Sequence, residues 1–156
     1  MKVFVFVDME GISGICRREH VMGDGWAYQE GRRFMTADAN ACVEGCFRGG
    51  ATQVVIRDGH YTGFNMLWDQ IDPRAELIQG GSDLGRMHDI GEYDALILLG
   101  YHGMAGTPGA VLEHTMSSAS WQRFWLNGRE SGEFAIDAGI AGDAGVPTII
   151  DRKSVV

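Results

Sequence analysis

Three short apolar runs govern the architecture open to this chain, and each ends in residues able to bind a metal. Val3-Phe4-Val5-Phe6-Val7 is a continuous β-branched and aromatic stretch, the pattern of a strand buried on both faces of a parallel sheet. Gln53-Val54-Val55-Ile56-Arg57 and Ala95-Leu96-Ile97-Leu98-Leu99 read the same way. The first run leads into Asp8-Met9-Glu10, the second into Asp58-Gly59-His60, the third into Gly100-Tyr101-His102. Ligands of an open parallel sheet bind beyond the carboxyl ends of its strands, where side chains from neighbouring strands converge. If these three strands are parallel neighbours, two carboxylates and two imidazoles meet in one place.

The remaining sequence supplies the layers around such a sheet. The spacing predicts a helix over 26–48 with Asp24 as its cap, an apolar stripe of Tyr28, Met35, Ala39, Cys42, Val43 and Cys46, and Gly49-Gly50 as its stop. Short strands are expected over 76–79, 110–112 and 123–126, the last turning at Asn127-Gly128 as a hairpin does. A helix over 133–144 and a final strand over 147–150 complete the pattern. Strands alternating with helices indicate an α/β fold: a mostly parallel sheet flanked by helices, with a metal site at the carboxyl ends of the strands.

At 156 residues the length suits one domain. The formal net charge of −8, from 21 acidic and 13 basic side chains, argues against a groove for nucleic-acid phosphates. An acidic chain suits cations better. Cys16, Cys42 and Cys46 are too few for a disulfide framework, which points to a reducing, cytoplasmic setting. Cys42 and Cys46 could share a metal, but both fall on the apolar stripe and read more simply as core. No apolar run reaches the ~18 residues of a membrane span, and Asp8 and Glu10 interrupt any signal-like start. The last six residues, 151–156, read as a non-native tail, matching the translation of a common sequencing adapter, so the native part is expected to be 1–150.

Each candidate site residue has a plain reading beside the functional one. Asp8 and Glu10, two apart, would repel on a shared face unless a cation neutralised them; as solvated loop acids they would need none. His60 or His102 alone could be an ordinary satisfied histidine. Together, carboxylates and imidazoles without a thiolate suit zinc, manganese or iron, as a pair or singly. Asp58 could orient an imidazole, or close an Asx turn after its strand. His114, after Thr107-Pro108-Gly109, could carry protons near neutrality. Glu133 opens a helix, where an acid is favoured by the dipole alone. His20 and His88 lie in polar stretches and receive no role. Gly11-Ile12-Ser13-Gly14 lacks phosphate-loop spacing and reads as a place where backbone passes close to the site. Trp121, Phe124 and Trp125 fit core or a subunit interface better than base stacking.

Val7-Asp8-Met9-Glu10-Gly11-Ile12-Ser13-Gly14, Asp58-Gly59-His60, Leu99-Gly100-Tyr101-His102, Thr107-Pro108-Gly109 with His114, and Gly132-Glu133 together resemble the successive motifs of the zinc-dependent D-aminopeptidases of the dipeptide-permease operon type. The resemblance runs in order through 1–150. It implies that Asp8 bridges two zinc ions, that Glu10, His60, His102 and Glu133 are the other metal ligands, and that His114 is catalytic. It also implies release of N-terminal D-amino acids from short peptides through a dinuclear-zinc-activated water, and assembly into homo-oligomers, decameric in the family. No nucleic-acid or membrane partner is implied. Members continue for roughly another domain, about 100 residues, so the activity of this chain is a separate question. A metal-dependent hydrolase of another bond and a non-catalytic metal-binding module are the alternatives.

Overall fold

The computed structural model describes residues 1–81, 83 and 85–153. Strands β1 (Lys2–Val7), β2 (Gln53–Asp58), β3 (Glu76–Ile78), β4 (Ala95–Tyr101) and β7 (Thr148–Lys153) form one sheet in the order β3-β2-β1-β4-β7, parallel at every pairing. A hairpin, β5 (Trp125–Leu126) with β6 (Arg129–Glu130), stands apart. Helices α1 (Trp26–Arg48) and α2 (Glu133–Asp143) flank the sheet. The α/β fold with a mostly parallel sheet is as the sequence indicates.

The alternation along β1 explains why the sheet needs both layers. Val3, Val5 and Val7 face a cluster completed by Met35, Ala39 and Val43 of α1. Phe4 and Phe6 face the other side, where Ala141 of α2 and Val146 close the packing. Each fully buried side chain of this size contributes about 1.5–3 kcal/mol relative to exposure. A continuous apolar strand is therefore stable only when both faces are covered.

Several expectations are corrected locally. Gly25, not Asp24, occupies the cap position of α1, and no side chain caps it. Residues 110–112 form no strand: Leu112 takes a left-handed backbone (φ 54°) and Ala110 donates its N–H to the Thr107 carbonyl in a turn. The Asn127-Gly128 turn forms as expected, with φ 51° and 79° matching a type I′ hairpin. Trp125 and Trp121 are exposed, which removes the core alternative and leaves that of a subunit interface. His20, in contrast, is buried and accepts the Cys16 N–H at Nδ1 (3.3 Å). Cys42 and Cys46 lie on the α1 stripe with free thiols. Strand β7 continues to Lys153, pairing 151–153 with β4; residues 154–156 lie outside the described residues.

The chain order makes a topological switch at the β1–β4 boundary. From β1 the sheet builds outward through β2 to β3 on one side and through β4 to β7 on the other. Connections leave in opposite directions there and open a crevice at the strand ends. Register brings Val7 level with both Asp58 and Leu99, so the residues after all three strands emerge together.

Candidate metal centre

The loop after β1 is pressed onto the end of β4. Asp8 donates its N–H to Leu99 O (2.8 Å), Gly11 donates to Gly100 O (2.7 Å), and Gly59 donates to Val7 O (2.8 Å). A Cβ on Gly11 would meet Tyr101 O at 2.1 Å, and one on Gly100 would meet Asp8 O at 2.2 Å. Only glycine permits this approach, and Gly100 also needs its φ of +76°. The glycine-rich loop thus passes close to the site, as the sequence suggests. Met9 points into the core between Asp8 and Glu10 and leaves both acids facing the crevice.

Asp8, Glu10, His60, His102 and Glu133 are each less than a tenth exposed, and they converge. His60 Nδ1 lies 3.2 Å from Asp8 Oδ1 and 3.1 Å from Glu10 Oε2. His102 Nε2 lies 3.3 Å from Asp8 Oδ2 and 3.1 Å from Glu133 Oε1. His114 Nε2 is 3.5 Å from Glu133 Oε1, and its ring stacks on His102 with centroids 3.8 Å apart. Two groups result: Asp8, Glu10 and His60, and His102, His114 and Glu133. Asp8 turns one oxygen to each.

The far side of every ring is tied to a carbonyl. His60 Nε2 lies 2.8 Å from Val21 O, His102 Nδ1 is 2.9 Å from Gly103 O, and His114 Nδ1 is 2.9 Å from Leu112 O. A carbonyl only accepts, so each of these nitrogens carries the proton and donates. The opposite nitrogen of each ring is turned toward the carboxylates, the arrangement that metal-binding histidines adopt. Asp8 Oδ2, Glu10 Oε2 and His102 Nε2 are buried without an aligned hydrogen bond among the described residues, although charged partners lie within 3.3 Å. Buried polar atoms that approach one another without pairing fit a cation between them.

The electrostatics follow from this crowding. Burial would raise the Asp8 carboxyl, but the hydrogen bond and charge of His60, with the charge of His102, outweigh it and hold Asp8 well below its usual range. Burial and then the Asp8 charge raise Glu10. Burial would lower both imidazoles; the facing carboxylates override it and lift His60 to about 11 and His102 to about 9. In the absence of a metal, protons on the histidines balance the acids.

Asp58 touches no imidazole. Its fully buried carboxylate accepts the N–H groups of Asn65 (2.6 Å) and Met66 (2.9 Å), and Asn65 Nδ2 in turn donates to His60 O (2.7 Å). It closes the loop that carries His60, the turn-forming alternative of the two the sequence left open. Sequence reasoning missed Arg86, which reaches the site from a glycine-flanked loop, and its partner Asp137. The Glu133-to-Asp137 spacing of four on α2, which puts both acids on one helix face, was the available signal. Arg18 and Arg86 both line the cavity, so two cations stand beside the acids. That cavity, about 550 Å³, is lined by Asp8, Glu10, His60, His114 and Glu133 among others.

Residues 1–150 match peptidase family M55, described as D-aminopeptidase. A D-aminopeptidase of Bacillus subtilis (strain 168) is 35% identical over 154 residues, covering 96% of this chain and 55% of its own. A solved structure described as the Zn-dependent D-aminopeptidase DppA from Bacillus subtilis, a self-compartmentalizing protease, superposes with a TM-score of 0.89 at 35% identity, covering 95% of this chain and 54% of its own. The chain spans about half the length of these relatives. By the match over 1–150, it belongs to the D-aminopeptidase family M55.

Proposed function

We propose that this chain carries the metal centre of a zinc aminopeptidase that releases N-terminal D-amino acids from short peptides. The observation that carries the reading is the convergence of Asp8, Glu10, His60 and Glu133 on one cavity, with His102 packed against Asp8 and Glu133 and three imidazoles fixed in the ligand tautomer. Three carboxylates and imidazole nitrogens without a thiolate are a donor set that suits zinc. Glu10 and His60 would hold one ion, His102 and Glu133 a second, and Asp8, with an oxygen turned to each group, would bridge them. When bound, such a pair supplies a nucleophile at neutral pH and polarises the scissile carbonyl.

The chain's own residues would do the rest. The Leu112 carbonyl keeps the His114 proton on Nδ1, so Nε2 is free to take a proton from the attacking water and return it to the leaving amine. His114 is about a fifth exposed, which gives it contact with both the cavity and the buried acids. The cavity has the volume of a small-molecule site and suits a short peptide. Among the described residues no helix is long and apolar enough to cross a membrane. The free cysteines suit a cytoplasmic location. The self-compartmentalizing character of the Bacillus subtilis relative supports assembly of this chain into a homo-oligomer.

The test is metal analysis combined with hydrolysis of D-alanine and L-alanine anilides. Two zinc ions per chain with preferential cleavage of the D-anilide is the expected result. Zinc binding without cleavage of either would favour a non-catalytic module, and no zinc uptake would sink the reading.

A further inference from the structure

Glu133 is held from behind. Its Oε1 faces His102, His114 and the Met116 N–H, which donates to it at 2.7 Å. Its Oε2 lies 3.4 Å from Nη2 of Arg86. That guanidinium is itself fixed, because its Nε and Nη2 donate to the two oxygens of Asp137 at 2.6 and 3.0 Å. Asp137 is fully buried and also accepts the Tyr101 hydroxyl at 2.5 Å. The Arg86 plane rests over the Phe6 ring, 4.8 Å from Cζ to centroid. Phe6 in turn packs against Gly59, where a Cβ would meet its ring at 2.0 Å. The clamp therefore draws on β1, β4 and α2 together, with the turn after β2 packed against Phe6.

A bidentate guanidinium–carboxylate pair fixes direction as well as charge. With Asp137 one helical turn beyond Glu133, α2 supplies both the acid that faces the imidazoles and the acid that holds the arginine. Burial raises Asp137 while the Arg86 charge opposes it, and Tyr101 completes its hydrogen bonding. Arg86 is fixed through Nε and Nη2 by this pairing, so its contact with Glu133 is that of an oriented donor.

We propose that Arg86, clamped by Asp137 and Tyr101 and seated on Phe6, is a positioning residue that turns Glu133 Oε1 toward His102 and thereby sets zinc affinity at that half of the site. This rests on the metal-centre reading above. Partners that orient a metal ligand change affinity by about 10- to 100-fold when removed.

The experiment titrates zinc into metal-free protein against a chromophoric chelator, for the unmodified chain, Arg86→Gln and Arg86→Lys. The expected result for Arg86→Gln is about 10- to 100-fold weaker binding of one zinc while the other is unchanged. Arg86→Lys, which restores charge without the fork, should recover part of that loss. A purely structural role would weaken both zinc ions alike and lower the urea midpoint of the metal-free protein in proportion. Equal affinities for all three proteins, or equal weakening of both ions, would overturn the proposal. Should Arg86→Gln not fold, Tyr101→Phe, which removes only the hydroxyl behind Asp137, serves in its place; wild-type affinity there overturns it also. If the unmodified chain takes up no zinc, the functional reading itself fails, an outcome distinct from these.

Discussion

Replacing Gly11 with alanine tests the contact that brings the acidic loop onto the sheet. The new Cβ would lie 2.1 Å from Tyr101 O and 2.6 Å from the Gly100 carbonyl carbon, against an ordinary contact of 3.4–4 Å. The obstructing atoms are backbone of a central strand, so no side chain can swing aside. Relief requires the loop and the end of β4 to part by more than an ångström, which breaks the 2.7 Å Gly11-to-Gly100 hydrogen bond. Overpacking of this kind costs about 1–3 kcal/mol. A buried acceptor left unsatisfied adds about 1–3 kcal/mol. The sum, about 2–6 kcal/mol, is a large fraction of the stability of an ordinary domain. With a urea slope of about 2 kcal/mol/M, the midpoint should fall by about 1–3 M. Zinc affinity should fall as well, because Glu10 precedes Gly11 and moves with it. Urea unfolding of metal-free protein followed by circular dichroism measures the first effect, and chelator competition the second. A Gly11→Ala stability within about 0.5 kcal/mol of wild type would refute the close approach and the argument built on it.

Three further outcomes are expected. Gly45→Ala, inside α1 with nothing within 4 Å of the added Cβ, should stabilise the protein by about 0.5–1 kcal/mol in the same urea assay; destabilisation would show that the helix face is not free there. His114→Ala should retain zinc and lose anilide hydrolysis by about 100-fold or more, whereas loss of zinc would make His114 a ligand, as its grouping with His102 and Glu133 allows. The metal-free protein should lose stability with alkaline pH. His60 and His102 are raised from 6.5 to about 11 and about 9, so the folded state holds protons that the unfolded state releases. Their contribution is complete below about pH 6.5 and disappears as pH rises through about 9 and then about 11. Asp8, held low, acts oppositely, contributing above its ordinary 3.8 and losing that contribution as pH falls further. A urea midpoint that climbs between about pH 8 and about pH 10 would contradict this balance.

The sequence by itself determined the layers and the strand ends. Runs such as Val3–Val7 and Ala95–Leu99 are apolar at every position, and only a strand covered on both faces accommodates that, so their burial is a local property. The acids and imidazoles that follow them are then carried to one edge by the geometry of parallel pairing. The Asn127-Gly128 turn was legible for the same reason, since its backbone demand is met by its own two residues. Residues 110–112 were misread because β propensity there has no partner strand to satisfy it, and Leu112 instead turns the chain. What only the tertiary structure decided depends on approach between distant segments. The order of the strands places the switch between β1 and β4, and the Val21, Gly103 and Leu112 carbonyls choose the tautomers of three histidines. Arg86 and Asp137 are 51 residues apart and carry no motif, so their pairing behind Glu133 exists only once β1, β4 and α2 have packed. Periodicity records what a residue needs from water; it does not record which partner the fold will bring.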